Sequence, residues 1–144
     1  MRLPITLATL LLLGACNANP ERDATDAPPA ATMDATIGAA VDALLTTAAT
    51  DFHAHRPPEP SQFRAVRAGT LATPDGPNQP LICGEFLPLQ TDGNAQWTLF
   101  ATIKTSGYEQ WLGTGALAFC QNPAVSWQPG DWTPTLQQKF DALR

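Results

Sequence analysis

The segment Asp51-Phe52-His53-Ala54-His55 gathers a carboxylate and two imidazoles within five residues, donor types that zinc accepts. The apolar residues before it recur at helical spacing, and on a helix positions i and i+2 point to different sides. His53 and His55 are the chain's two histidines. With no third strong ligand group nearby, they read as solvated side chains at a helix end rather than a metal site. Ser61, Ser106 and Ser126 are the possible hydroxyl nucleophiles, and none lies in a Gly-x-Ser-x-Gly turn. A glycosidase needs two acids flanking a cleft, and the acids on strand-like segments are Glu85 and Glu109. Arg64 and Arg67, on the segment before Glu85, offer it a cross-strand ion pair; the other use of an arginine there is to meet an anionic group on a partner. These residues predict no catalysis, no metal and no cofactor.

Binding chemistry has better material. Tyr, Trp and Arg most often anchor protein interfaces, and three stretches suggest a contact surface: TSGYEQW at 105–111, WQPGDW at 127–132 and the loop ATPDGPNQP at 72–80. Tyr108, Glu109, Trp111, Trp127, Asp131 and Trp132 are the candidate partner-binding residues. Pro129-Gly130 would present Trp127 and Trp132 on a tight turn; equally, both indoles would serve as caps on the end of the core. One continuous patch requires the chain to break near Gly113-Thr114-Gly115, where glycines weaken strand pairing. Without that break the two aromatic stretches form separate patches.

The chain begins with Arg2 and an apolar run from Leu3 to Leu13, well short of the roughly 20 residues that span a bilayer. That pattern predicts an export signal. Its end, Leu13-Gly14-Ala15-Cys16, resembles the lipobox of bacterial lipoproteins. The resemblance implies cleavage after residue 15, acylation (palmitate among the chains) of Cys16, and a membrane anchor. Asn17 stands where an aspartate would favour inner-membrane retention under the enteric sorting rule, so the implied location is the periplasmic face of the outer membrane. Residues 16–33, rich in Ala, Pro, Asp, Asn and Thr, bury little apolar surface and read as a flexible acidic tether.

Residues 17–51 carry six acids and one arginine, whereas 52–144 carry seven acids and six bases within a net charge of −5. The folded part has no basic stripe, so nucleic acid is not expected as a partner. All eleven aromatic residues lie after residue 51, which places the core there. Once Cys16 is acylated, Cys83 and Cys120 remain in an oxidising compartment, where an even remainder suggests a bridge. Closing that loop of roughly 38 residues is worth about 4 kcal/mol in the chain-entropy model; two buried free thiols are the alternative.

The elements that position these residues follow from periodicity. Ile37, Val41, Leu44, Leu45, Ala48 and Phe52 predict an amphipathic helix over 34–56, with Asp34 as a cap and Pro57-Pro58 as its end. Residues 57–144 then form a small α+β domain. Strands are predicted at Phe63–Gly69, Leu81–Leu87, Gln96–Lys104 and Trp111–Cys120. In the third, Trp97, Leu99, Ala101 and Ile103 take one face, while Thr98, Thr102 and Lys104 take the other along with Phe100, implying one buried face. Thr133-Pro134 opens a last helix with Leu136, Phe140 and Leu143 as its stripe. The expected fold is an α+β, antiparallel four-stranded meander flanked by an N-terminal and a C-terminal helix on one side.

PSQFRAVRAG at 60–69, CGE at 83–85, and Trp97 with Phe100 resemble a pattern in small exported bacterial proteins of largely unassigned function. There a Phe-Arg-x-Val strand precedes a Cys-Gly-Glu-Val-Asn strand and an aromatic-x-x-Phe. Here Phe86-Leu87-Pro88 replaces Val-Asn, and the Asn-Ala-Lys-Asn run is missing. The resemblance implies a shared sheet, not a reaction. The expected function is a protein-binding module for another envelope or secreted protein, as an inhibitor or immunity factor, or else an assembly component of an envelope complex.

Overall fold

The computed structural model describes residues 30–55, 59–89 and 94–144, with the side chains of the first helix described from Ile37 onward. The expected leader, Cys16 and most of the tether lie outside these residues. Helix α1 (Ala30–His55) starts before Asp34, so residues 30–33, expected in the tether, are helical and Asp34 lies inside the helix rather than at its cap. Alanine, the best helix former, extends it upstream. Burial begins at Val41 and continues through Leu44, Leu45, Ala48 and Phe52, while Ile37 is 43% exposed.

Strands β1 (Pro60–Leu71), β2 (Gln79–Pro88), β3 (Thr98–Lys104) and β4 (Tyr108–Leu112) form an antiparallel meander. The chain then departs from the expected pattern. Residues 113–120, read from sequence as the rest of a strand, contain helix α2 (Thr114–Cys120). Gly113, at φ +56°, ends the strand. Beyond it Ala116 and Cys120, four apart and both buried, give the run GALAFC a helical face. Helix α2 carries the chain across the sheet to β5 (Val125–Trp127), which pairs with β1 and completes the order β4-β3-β2-β1-β5. Helix α3 (Thr133–Asp141) closes the fold. Its stripe is Leu136 and Phe140, since Leu143 lies beyond the helix and is 41% exposed.

Both faces of the sheet are covered, not one. Helices α1 and α3 bury Phe63, Val66, Ala68, Ile82, Phe86 and Phe100; α2 covers Leu81, Cys83, Ala101 and Ile103. Thr102, assigned from sequence to a solvent face, is therefore fully buried. Phe52 occupies the centre of the larger core, with ring centroids 5.2 Å from Phe63, 4.9 Å from Phe86 and 5.3 Å from Phe100. Gly84 makes room on β2, because a Cβ there would sit 2.9 Å from both the Phe100 ring and Val66.

The register slips by one residue between Arg64, opposite Glu85, and Arg67, opposite Cys83. This is a β-bulge, with Ala65 as the extra residue at φ +52°. A regular strand would send Arg64 and Arg67 to opposite faces. The bulge sends Phe63 and Val66 to the α1 side and both arginines to the α2 side. The freed backbone of Val66 is satisfied by the start of α3: its N–H donates to Thr133 Oγ1 at 3.0 Å, and its carbonyl accepts from Trp132 N–H at 2.9 Å. Nearby, Phe63 N–H donates to Gln137 Oε1 at 3.1 Å. Together with β5, these contacts close the outer edge of β1.

Candidate binding surface

The α2 face of the sheet is built from cross-strand rows. One row runs Leu99, Glu85, Arg64; the next runs Trp111, Ala101, Cys83, Arg67; a third runs Glu109, Ile103, Leu81, Gly69, Trp127. Helix α2 lies across their middle, where Ala101 is small and Cys83 stands at disulfide distance from Cys120, with sulfurs 2.06 Å apart and Cα atoms 5.7 Å apart. Arg67 and Trp111 emerge at the two ends of one row on either side of α2, about 14 Å apart at the strand spacing of a sheet.

Both arginines are held by indoles. Arg64 Nε donates to Glu85 Oε2 at 2.7 Å, the cross-strand pair expected from sequence, and its guanidinium lies 4.1 Å from the Trp97 ring centroid. Arg67 lies 4.2 Å over Trp127 and has no ion-pairing carboxylate among the described residues. Gly69 permits that stack, because a Cβ there would meet Trp127 Cε3 at 2.9 Å. Beside Arg67, a cleft of about 230 Å³ opens between the bulge and the end of α2, walled by Ala65, Gly84, Glu85 and Leu99 and by the disulfide.

At the opposite edge, Tyr108 and Trp111 are 41% and 42% exposed. Trp111 leans on Phe119 of α2, with centroids 5.6 Å apart. Lys104 Nζ lies 4.8 Å from the Tyr108 ring centroid, and Glu109 accepts from Thr105 Oγ1 at 2.6 Å. No strand pairs with the outer edge of β4 among the described residues. The chain does break at Gly113, as a single patch requires. The break carries it across the sheet, however, so Tyr108–Trp111 and Trp127 lie on opposite edges, about 19 Å apart over four strand spacings, and form two patches. No family model, curated protein or solved structure matches the chain.

The last two candidates serve the fold. Asp131 Oδ1 accepts from Thr133 N–H at 2.9 Å at the start of α3; the hydrogen bonds from the Thr133 side chain and backbone hold its carboxyl below the ordinary 3.8. Trp132 is half-buried against the α1–α3 core, and its indole nitrogen is buried. His55 Nδ1 is 3.9 Å from Asp51 Oδ1, and no group of three or more His, Cys, Asp or Glu converges among the described residues. Ser61 donates to the Leu87 carbonyl at 3.0 Å.

Sequence reasoning proposed an arginine for an anionic partner but missed that Arg64 and Arg67 share a face and that each stacks on a tryptophan. The spacing of three normally separates the faces of a strand; only the bulge reverses it. Segments 60–69, 83–85 and 97–100 lie side by side in the sheet. Phe63, Val66, Gly84 and Phe100 pack on the α1 side, and Arg64, Glu85 and Trp97 join on the other.

Proposed function

We propose that the chain is a lipoprotein anchored through Cys16 at the periplasmic face of the outer membrane, and that its α+β domain binds another envelope or secreted protein as an inhibitor or immunity factor rather than as an enzyme. One observation carries the binding role: β4 is an edge strand with no partner on its outer side among the described residues, longer than the three-residue β5 at the other edge, and it displays Tyr108 and Trp111. Exposed strand edges are normally blunted or used, and an extended segment of a partner can add to such an edge by main-chain hydrogen bonds while aromatic side chains supply the anchor. Tethering a binding domain to a surface raises its effective concentration against whatever arrives there.

The test is affinity capture from solubilised envelope by the acylated chain and by its Trp111→Ala variant, with a Cys16→Ser chain followed in membrane fractionation. Trp111→Ala is expected to weaken capture by about 2 kcal/mol, the threshold for a hot spot, and Cys16→Ser to release the protein from the membrane fraction. A captured toxin supports the inhibitor reading, whereas a stoichiometric multiprotein machine makes the chain an assembly component. Capture unaffected by Trp111→Ala overturns the β4 surface.

A further inference from the structure

We propose that the cleft beside Arg67 is a carboxylate-binding site that receives an acidic side chain of the partner protein, an inference that rests on the protein-binding reading. Four features of the cleft lead there. Its volume of about 230 Å³ falls below the roughly 300–1,000 Å³ of pockets that hold small molecules and cofactors, so its occupant is the size of one side chain. Of the two guanidiniums on this face, Arg64 is neutralised by Glu85, whereas Arg67 has no carboxylate partner among the described residues. The cleft thus carries one uncompensated positive charge, and the negative group in its wall is already paired. Stacking on Trp127 holds the Arg67 fork in one plane, so little rotamer freedom is lost when it takes a carboxylate through two parallel hydrogen bonds. The remaining walls, Ala65, Leu99 and the disulfide, offer apolar contact to the methylenes of a glutamate.

A protein is the expected source of the carboxylate because Arg67 shares its row with Trp111. Their separation of about 14 Å lies well within the roughly 30 Å breadth of the patch of about 800 Å² that each partner contributes to an ordinary interface. One partner lying across α2 would meet the aromatic anchor on one side and the arginine on the other.

The test uses the folded chain without any partner. The probes are a blocked tetraglutamate peptide, the matching tetraglutamine peptide and inorganic phosphate, each titrated while the Arg67 Nε–H and Trp127 indole N–H resonances are followed by NMR. The glutamate peptide is expected to shift both signals saturably, and the glutamine peptide to leave them in place. Arg67→Gln should weaken binding at least tenfold, and Arg67→Lys, which keeps the charge but loses the fork, should fall between. Because Arg67 is exposed, both variants retain the fold, which an unchanged urea midpoint verifies. Absence of saturable shifts, equal affinity in Arg67→Gln, or phosphate binding as tightly as the peptide would each overturn the proposal. Failure here leaves capture through Trp111 standing, and failure of that capture leaves the titration readable.

Discussion

Ala65 offers a test in which the sign of the answer matters more than its size. It is exposed and has φ +52°, in the left-handed region that costs an L-residue about 1–2 kcal/mol. Ala65→Gly removes that strain but gives the unfolded chain more freedom, which costs about 0.4–1 kcal/mol. The net expectation is a domain more stable by about 0.5 kcal/mol. Ala65→Val adds a β-branch that crowds the same conformation and should destabilise by more than about 1 kcal/mol. At an exposed position in a regular strand the order reverses, because valine is a strong strand former and glycine a weak one, with a span of about 1 kcal/mol. Urea unfolding of the three proteins, compared at constant m-value, gives the ranking directly. Gly above Ala above Val is expected. Val at or above Ala, with Gly below, would mean that β1 runs without the bulge, and Arg64 and Arg67 would no longer share a face.

Two further outcomes follow from the core. Thr102 is fully buried and its Oγ1 has no hydrogen-bond partner among the described residues; since an unpaired buried hydroxyl costs about 1–3 kcal/mol, Thr102→Val should raise stability by about 1 kcal/mol in urea unfolding, and a loss would show that the hydroxyl is satisfied. The Cys83–Cys120 link spans a sequence separation of 37, so reduction should lower the unfolding free energy by about 4 kcal/mol, and an unchanged urea midpoint after verified reduction would refute the link's stabilising role.

The α+β meander between two helices was legible because its carriers are local. The 3.6-residue stripe at Val41–Phe52 and the alternation at Thr98–Lys104 each declare an element without reference to the rest of the chain. The Arg64–Glu85 pair was legible because adjacent antiparallel strands meet. What escaped depends on context. The run Ala116–Cys120 is apolar throughout, and short apolar runs fit strand and helix equally; the docking of Ala116 and Cys120 against β3 and β2 decides for the helix. Strand β5 has three residues and exists because β1 presents an edge to it. Thr102 looked solvated because alternation was read as one buried face, that of Ala101 and Ile103; α1 and α3 cover the other face, where Thr102 stands opposite Ile82, while the Ala101 face is covered by α2, which the sequence did not announce.

The bulge and α2 make the candidate surface by different means, and each depends on the other. Were Ala65 accommodated in a regular strand instead of a bulge, Arg67 would take the place of Val66 on the α1 side, where a guanidinium would have to be buried beside Phe63 and Phe100 at a cost of several kcal/mol; with the chain as it stands, the bulge is therefore the condition for having arginine at position 67. Without α2 there would be no second wall, and Arg67 would stand on an open sheet beside Trp127. The Cys83–Cys120 link fixes the end of α2 to the residue directly opposite Arg67 in the register, so the width of the cleft is set by a covalent bond on one side and a backbone kink on the other. Reduction should therefore loosen the Arg67 cleft while leaving the β4 edge intact, because Tyr108 and Trp111 are held by their pairing with Lys104 and Ala101 of β3.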